Sequence, residues 1–156
     1  MHKSRIIELF KNAPDEIKSL TVAQLLERFQ IEVDAEREEQ SKLEATICDR
    51  FRGKYLKFRD ENGPFDSLKV EYIFIEDIKP GSLTTEHKRS YDLSGKRVLF
   101  WNNHASYKDL EMGHVYDSKM GKELEEATII SKEEFDSAKE KYDEITEIIK
   151  NIKNDG

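Results

Sequence analysis

The sequence predicts an α+β fold in which two long helices flank a small antiparallel sheet of three to five strands. Residues 21–52 contain no helix-breaking residue, and residues after Ser131 carry apolar side chains at steps of three and four. Between these segments lie short apolar runs separated by turn residues. We therefore divide the chain into a helical region (1–53), a β region (54–130) and a C-terminal helix (131–156), expected to fold as one cooperative unit.

The long N-terminal helix has recognisable start and stop signals. Thr21 and Gln24 have the spacing of a capping box, and Gly53 suits a helix end. The roughly 30 residues between them would extend about 45 Å. Two shorter helices, residues 4–11 and from Pro14 onward, are predicted to precede it. The long helix carries a heptad-like apolar stripe, which polar residues 36–40 interrupt. The stripe consists of Val22, Leu26, Phe29, Val33, Leu43 and Ile47.

The β region contains one strand that is apolar on both faces. In residues 69–76, Tyr72 and Phe74 alternate with Ile73 and Ile75, which predicts a central strand covered on both sides. Residues 54–59 and 96–101 also predict strands, and Asn102-Asn103 suits a turn. Residues 60–64 predict a turn, residues 82–89 a loop, and residues 112–116 and 127–130 two weaker strands.

The C-terminal helix has the clearest periodicity in the chain. Ser131 and Glu134 match a second capping box. If this helix pairs antiparallel with the long helix, Tyr142 and Ile145 fall opposite the polar break. A second copy of the chain would cover them, so we expect a homodimer; the alternative is that the short leading helices cover them. The candidate interface consists of Phe135, Tyr142, Ile145, Ile149, Ile152, Val22, Leu26 and Phe29.

Composition narrows the class of protein. Charged residues make up 38% of the chain and the net charge is −7, which argues against non-specific nucleic-acid binding by the whole protein. The single cysteine, Cys48, excludes an intramolecular disulfide and a site of several thiolates. No apolar run reaches the length of a signal peptide or a membrane span. We expect a cytoplasmic protein without a membrane segment.

The β region offers an alternative, nucleic-acid-binding interpretation. Its residues 54–108 hold 10 basic and 8 acidic side chains, whereas residues 109–156 hold 7 and 14. Basic and aromatic side chains on a sheet can hold phosphates and stack bases. The candidate face consists of Tyr55, Lys57, Arg59, Lys96, Arg97 and Trp101. The competing interpretation is an ordinary solvated sheet face.

Catalytic signals are weak. His104 and His114 bracket Asp109 and Glu111, with His87 upstream, and such groups can bind a metal or transfer protons. Their spacing matches no metal motif, so exposed polar residues are the expectation. The sequence contains no glycine-rich phosphate loop and no nucleophile elbow. We expect no enzymatic activity, no metal and no cofactor.

Taken together, these features favour a non-enzymatic protein-interaction module whose partner the sequence does not identify. Two heptad-like stripes and an acidic C-terminal third would provide its contacts. A small, charge-dense chain without a catalytic signature would suit a phage or mobile-element product that binds or inhibits a host complex. The alternatives are nucleic-acid binding through the β region, and an enzyme or metal-binding protein using the region of His104 and His114.

Overall fold

The computed structural model describes residues 11, 15, 20–60, 68–83 and 88–156. Residues 1–43 and residues 44–156 form two compact units. Helix α1 (Val22–Phe51) begins in the first unit and ends in the second. Apart from Lys11 and Asp15, the predicted short leading helices lie outside the described residues, as do His87 and most of the predicted turn after Asp60.

Both predicted ends of α1 are confirmed. The Thr21 amide donates to Oε1 of Gln24 over 3.0 Å, and the Gln24 amide donates to Oγ1 of Thr21 over 3.3 Å, which is a reciprocal capping box. At the other end, Gly53 has φ 73°, a left-handed conformation that glycine adopts readily. Its amide donates to the carbonyl of Ile75 over 2.8 Å, so the helix end is tied to the sheet.

Within the residues that the structure describes, six antiparallel strands follow α1, one more than the upper predicted number. The spatial order is β4-β3-β2-β1-β6, and β5 pairs with β3. A 3₁₀ turn (Val115–Asp117) and a short helix, α2 (Gly121–Glu126), lie between strands, and α3 (Lys132–Asn154) ends the described fold. The strands are β1 (Tyr55–Asp60), β2 (Lys69–Leu83), β3 (Arg89–Trp101), β4 (His104–Leu110), β5 (Lys119–Met120) and β6 (Thr128–Ile130).

Three features of the β region correct the sequence-based predictions. Strand β4 was not predicted, because its residues alternate poorly between polar and apolar. Residues 112–116 are not a strand: the amide of Glu111 donates to the buried Asp117 carboxylate over 3.1 Å, which stabilises a turn there. The predicted loop at 82–89 is shorter than expected, since β2 runs through Leu83 and β3 begins at Arg89.

The long β2–β3 hairpin bends at a bulge. Ile75 pairs with Gly95 and Asp77 with Ser94, so Glu76 is an extra residue in β2. Gly95 has φ 145°, and a Cβ atom built on it would lie 1.8 Å from the carbonyl oxygen of Phe74. Only glycine allows the two backbones to approach this closely.

The sheet has apolar residues on both faces, as predicted for a central β2. We call the face that carries Leu56, Ile73 and Ile75 the α1 face, because Cys48 and Phe51 of α1 pack there. The opposite, α3 face is covered by helix α3; its residues include Tyr55, Tyr72, Phe74 and Val98, packed with Phe135 and Ala138. Each half of the core thus has its own helix.

The predicted antiparallel helical pair is not confirmed. Within the unit 44–156, Ile47 packs with the cluster on the α1 face, whereas Phe135 belongs to the cluster on the α3 face. The sheet therefore lies between the end of α1 and the start of α3. Phe135 and Ala138 find their apolar partners on β-strands, whereas the sequence analysis expected α3 to pair with the long helix.

Candidate interaction surfaces

The first half of α3 is anchored to the sheet. Oγ of Ser131 accepts the amide of Glu134 over 3.1 Å, which caps the helix. Phe135 is buried, with its ring centroid 5.4 Å from that of Tyr55. Two turns further on, the rings of Tyr142 and Tyr107 lie 6.0 Å apart. The predicted interface residues Phe135 and Tyr142 therefore contribute to the chain's own core.

The second half of α3 carries the same stripe beyond the sheet. Ile145 is half-buried, whereas Ile148, Ile149 and Ile152 are 58%, 47% and 68% exposed. We call these four side chains the isoleucine patch. Exposed apolar patches of a few hundred Å² on a soluble protein commonly mark an interaction site. The patch thus contains the predicted interface residues Ile145, Ile149 and Ile152, and adds Ile148, which the sequence analysis did not single out.

A second apolar stripe lies on α1 within the unit 1–43. Val22 and Leu26 are 74% and 51% exposed, while Phe29 is half-buried. The exposure of Ile31, at 63%, adds an apolar side chain outside the predicted spacing. These residues stay a predicted interface.

The structure does not bring the six proposed nucleic-acid-binding residues onto one face. Tyr55, Lys57, Arg59 and Lys96 align with residues of the α3 face, whereas Arg97 pairs with Ile73 and Trp101 with Lys69, on the other face. The Tyr55 ring stacks at 4.7 Å on Phe74 beneath Phe135. The Tyr55 ring, which was predicted to stack on nucleic-acid bases, therefore packs within the chain's own aromatic core.

Most of these cations also have acidic partners within the chain. Nζ of Lys57 lies 3.3 Å from Oε1 of Glu134, and Nζ of Lys96 lies 3.0 Å from Oδ1 of Asp109. Nη1 of Arg97 lies 3.7 Å from Oε2 of Glu71. Intramolecular pairing reduces the positive charge that this region can offer to phosphates.

The histidine-containing region does not converge on one point. His104 begins β4, whereas His114 lies beyond its end, just before the turn whose Asp117 contacts Lys108. Asp109 pairs with Lys96, and Nδ1 of His114 lies 3.7 Å from Oδ2 of Asp117. Among the described residues, no group of three or more histidine, cysteine, aspartate or glutamate side chains is arranged to hold a metal ion.

Cys48 lies in the core of the α1 face. Burial raises the pKa of its thiol, and the nearby Arg52 offsets this only in part. A thiol in this setting is a small apolar core residue.

A buried ionic cluster is the main polar feature that the sequence analysis missed. Glu71 is 4% exposed on the α1 face, and its Oε1 lies 3.0 Å from the Nζ atoms of both Lys69 and Lys119. With Arg97, three cations surround one carboxylate. The signal was present in the sequence, because Glu71, Ile73 and Ile75 are spaced by two residues and must share one buried face of the strand.

Electrostatics around Glu71 favour its ionised form. Burial by itself raises the pKa of Glu71, but the charges and hydrogen bonds of Lys119 and Lys69 outweigh burial and lower the pKa below its ordinary value. The cluster borders a cleft of about 490 Å³ whose lining also includes Glu123 and Glu126. Because lysines and carboxylates alternate around it, the cleft has no clear preference for ligand charge.

Comparisons with protein-family models, with curated proteins and with solved structures found no match for the chain. Within the part of the chain that the structure describes, none of the helices combines the length and the apolar character that a bilayer crossing requires.

Proposed function

We propose that this chain is a non-enzymatic protein-interaction module that binds a protein partner through the isoleucine patch on the second half of α3. The observation that supports this proposal is the exposure of Ile148, Ile149 and Ile152 on a helix whose first half is anchored to the sheet. A helix held at one end presents its apolar side chains in a defined orientation, which lowers the entropic cost of binding. Helices that offer apolar anchors at steps of three and four are a recurring mode of protein recognition.

The two alternative functions have less support. The sheet cations proposed for nucleic-acid binding lie on two faces and are largely ion-paired. His104 begins β4, whereas His114 lies outside that strand, at the start of the following 3₁₀ turn. The isoleucine patch, by contrast, is apolar and suits a protein surface. Cytoplasmic location and an origin in a phage or mobile element acting on a host complex are also part of the proposal, and they rest on composition alone.

A capture experiment with two aspartate variants tests the proposal. Ile148→Asp places a charge in the patch, and Ile129→Asp places the same charge at an isoleucine of β6 that is 50% exposed. We expect wild type and Ile129→Asp to retain one partner from extracts of the source cells, and Ile148→Asp to lose it. The interaction is then reconstituted from purified proteins. Equal retention by all three proteins would contradict the proposal.

A further inference from the structure

Resting on this proposed function, we infer that the partner of the isoleucine patch is a second copy of the chain, whose α3 packs antiparallel to the first. The inference follows from where the stripe on α3 is covered and where it is open. Phe135 and Ala138 lie against the sheet, whereas the stripe from Ile148 onward is exposed. Any partner helix must therefore approach the C-terminal half alone.

Steric considerations select the antiparallel orientation. A parallel partner helix in register would follow the stripe back toward Phe135, where the chain's own strands already pack. An antiparallel partner overlaps α3 only from Lys141 onward. The first half of the partner's α3 and the partner's sheet then lie beyond the C-terminal end of α3 in the first copy. Each copy keeps its own sheet, and the two open halves cover one another.

The spacing of the patch is compatible with two-fold symmetry. In an antiparallel pair centred near Glu147, Ile145 of one copy lies beside Ile149 of the other, and the reverse contact is identical. Ile148 then lies close to the two-fold axis and meets its own equivalent. Ile152 of one copy then packs beside Tyr142 of the other, a residue that is half-buried within its own copy. One patch thus provides both sides of the interface.

Charge favours the same overlap. Residues 132–144 contain six acidic and three basic side chains, so overlapping the first halves of two helices would bring like charges together. Residues 145–156 are balanced, with two acidic and two basic side chains. The antiparallel register also places Lys141 of one copy near Asp155 of the other, on the side of the helix that carries Ile148. For an acidic protein, this balanced half is the surface that can self-associate with least repulsion.

The size of the patch indicates a weak dimer. A standard stable interface buries roughly 800 Å² on each partner, and four isoleucines on two helical turns provide less. We expect a dissociation constant of about 10–100 μM. The dimer should therefore form at high protein concentration and dissociate on dilution.

Sedimentation equilibrium over about 5–500 μM protein tests self-association. Wild type and Ile129→Asp should shift from monomer to dimer across this range, and Ile148→Asp should weaken the dimer at least tenfold. Circular dichroism establishes that each variant is folded. A wild type that stays monomeric throughout overturns the second copy as the partner. The capture experiment with Ile148→Asp still decides separately whether the patch binds another protein.

Cysteine cross-linking tests the orientation. In a Cys48→Ala background, which removes the one native thiol, Ile145→Cys and Ile149→Cys are prepared with tags of different mass. In an antiparallel dimer, residue 145 faces residue 149, so mild oxidation of the mixture should yield mainly mixed disulfides. If each variant alone forms disulfide-linked dimers at least as efficiently as the mixture, the antiparallel arrangement is wrong.

Discussion

At the scale of single residues, Gly95 shows how closely two backbones approach at the bulge of the β2–β3 hairpin. Its φ of 145° and the 1.8 Å separation between a built Cβ and the Phe74 oxygen leave no room for a side chain. We expect Gly95→Ala to lower the free energy of unfolding by more than the roughly 1–3 kcal/mol of an unfavourable backbone conformation, because a clash is added.

Gly53 is the matched control for this substitution. It also has a positive φ, 73°, but a Cβ there meets no heavy atom within 4 Å. Gly53→Ala should therefore cost only the conformational term of about 1–2 kcal/mol. Urea denaturation of both variants measures the difference, and equal losses would show that the sheet yields easily at Gly95.

The ionic cluster around Glu71 predicts a pH-dependent contribution to stability. Glu71→Gln leaves Lys119 and Arg97, both largely buried, without their shared counter-charge. We expect a loss of about 3 kcal/mol in the free energy of unfolding at pH 7, near the lower limit for breaking a buried pair, because Lys69 can turn toward solvent. Glu76→Gln, at an exposed position of the same strand, should change stability by less than about 0.5 kcal/mol.

The sign of the pH effect follows from the lowered pKa. A carboxyl whose pKa is lower in the folded state stabilises the fold above its unfolded pKa, and that stabilisation disappears as the pH falls through the folded pKa. The gap between wild type and Glu71→Gln should therefore be full at neutral pH and shrink below about pH 4.3, the ordinary value for glutamate. A gap independent of pH from 7 to 2 would rule out ionised Glu71 as its source.

At the scale of elements, the Ser131 cap joins β6 to α3 and stabilises the helix that covers the α3 face. Ser131→Ala removes the oxygen that accepts the Glu134 amide, so we expect a loss of about 1 kcal/mol in chemical denaturation. Ser131→Asp retains an acceptor at the same position and should restore most of that loss. If both variants are equally destabilised, the side-chain hydrogen bond is not the cause.

Elements with local signals were predictable from sequence. Helix α1 has its cap at Thr21 and its stop at Gly53. In β2, the side chains from Val70 to Ile75 alternate between two faces that both carry apolar residues. Strands β4 and β5 lack such a signal. Strand β4 forms a hairpin with its neighbour β3, whereas β5 pairs with Ser90 and Tyr91, which are distant from it in sequence. Lys119, for example, lies in a two-residue strand and pairs with Glu71, 48 residues away.

For the candidate site on α3, the sequence predicted which side chains form the apolar stripe but not what covers them. The stripe from Phe135 to Ile152 was recognised because its steps of three and four place it on one side of a helix. Its cover could not be predicted, since a helix packed on a sheet and a helix packed on another helix show the same periodicity. Ile148 was missed because Ile149 already filled the expected position.

At the scale of the whole molecule, the two faces of the sheet should differ in their contribution to stability. Phe51 is 1% exposed among the buried side chains of the α1 face, whereas Phe74 on the α3 face is only half-buried. Phe51→Ala should cost about 3–5 kcal/mol, and Phe74→Ala should cost less. Thermal denaturation of both variants tests this order. A larger loss for Phe74→Ala would identify the α3 face as the dominant core.

The position of α3 after the last strand has a consequence during synthesis of the chain. The six strands that the structure describes and the end of α1 precede α3 in the sequence, so the described residues of the core cluster on the α1 face are all synthesised before α3. At about 5–20 residues per second, the 23 residues of α3 take about 1–5 s to translate. Until α3 has left the ribosome and docked, Val98 and Phe100 lack their helical cover, so the nascent chain exposes an apolar sheet face that chaperones can bind.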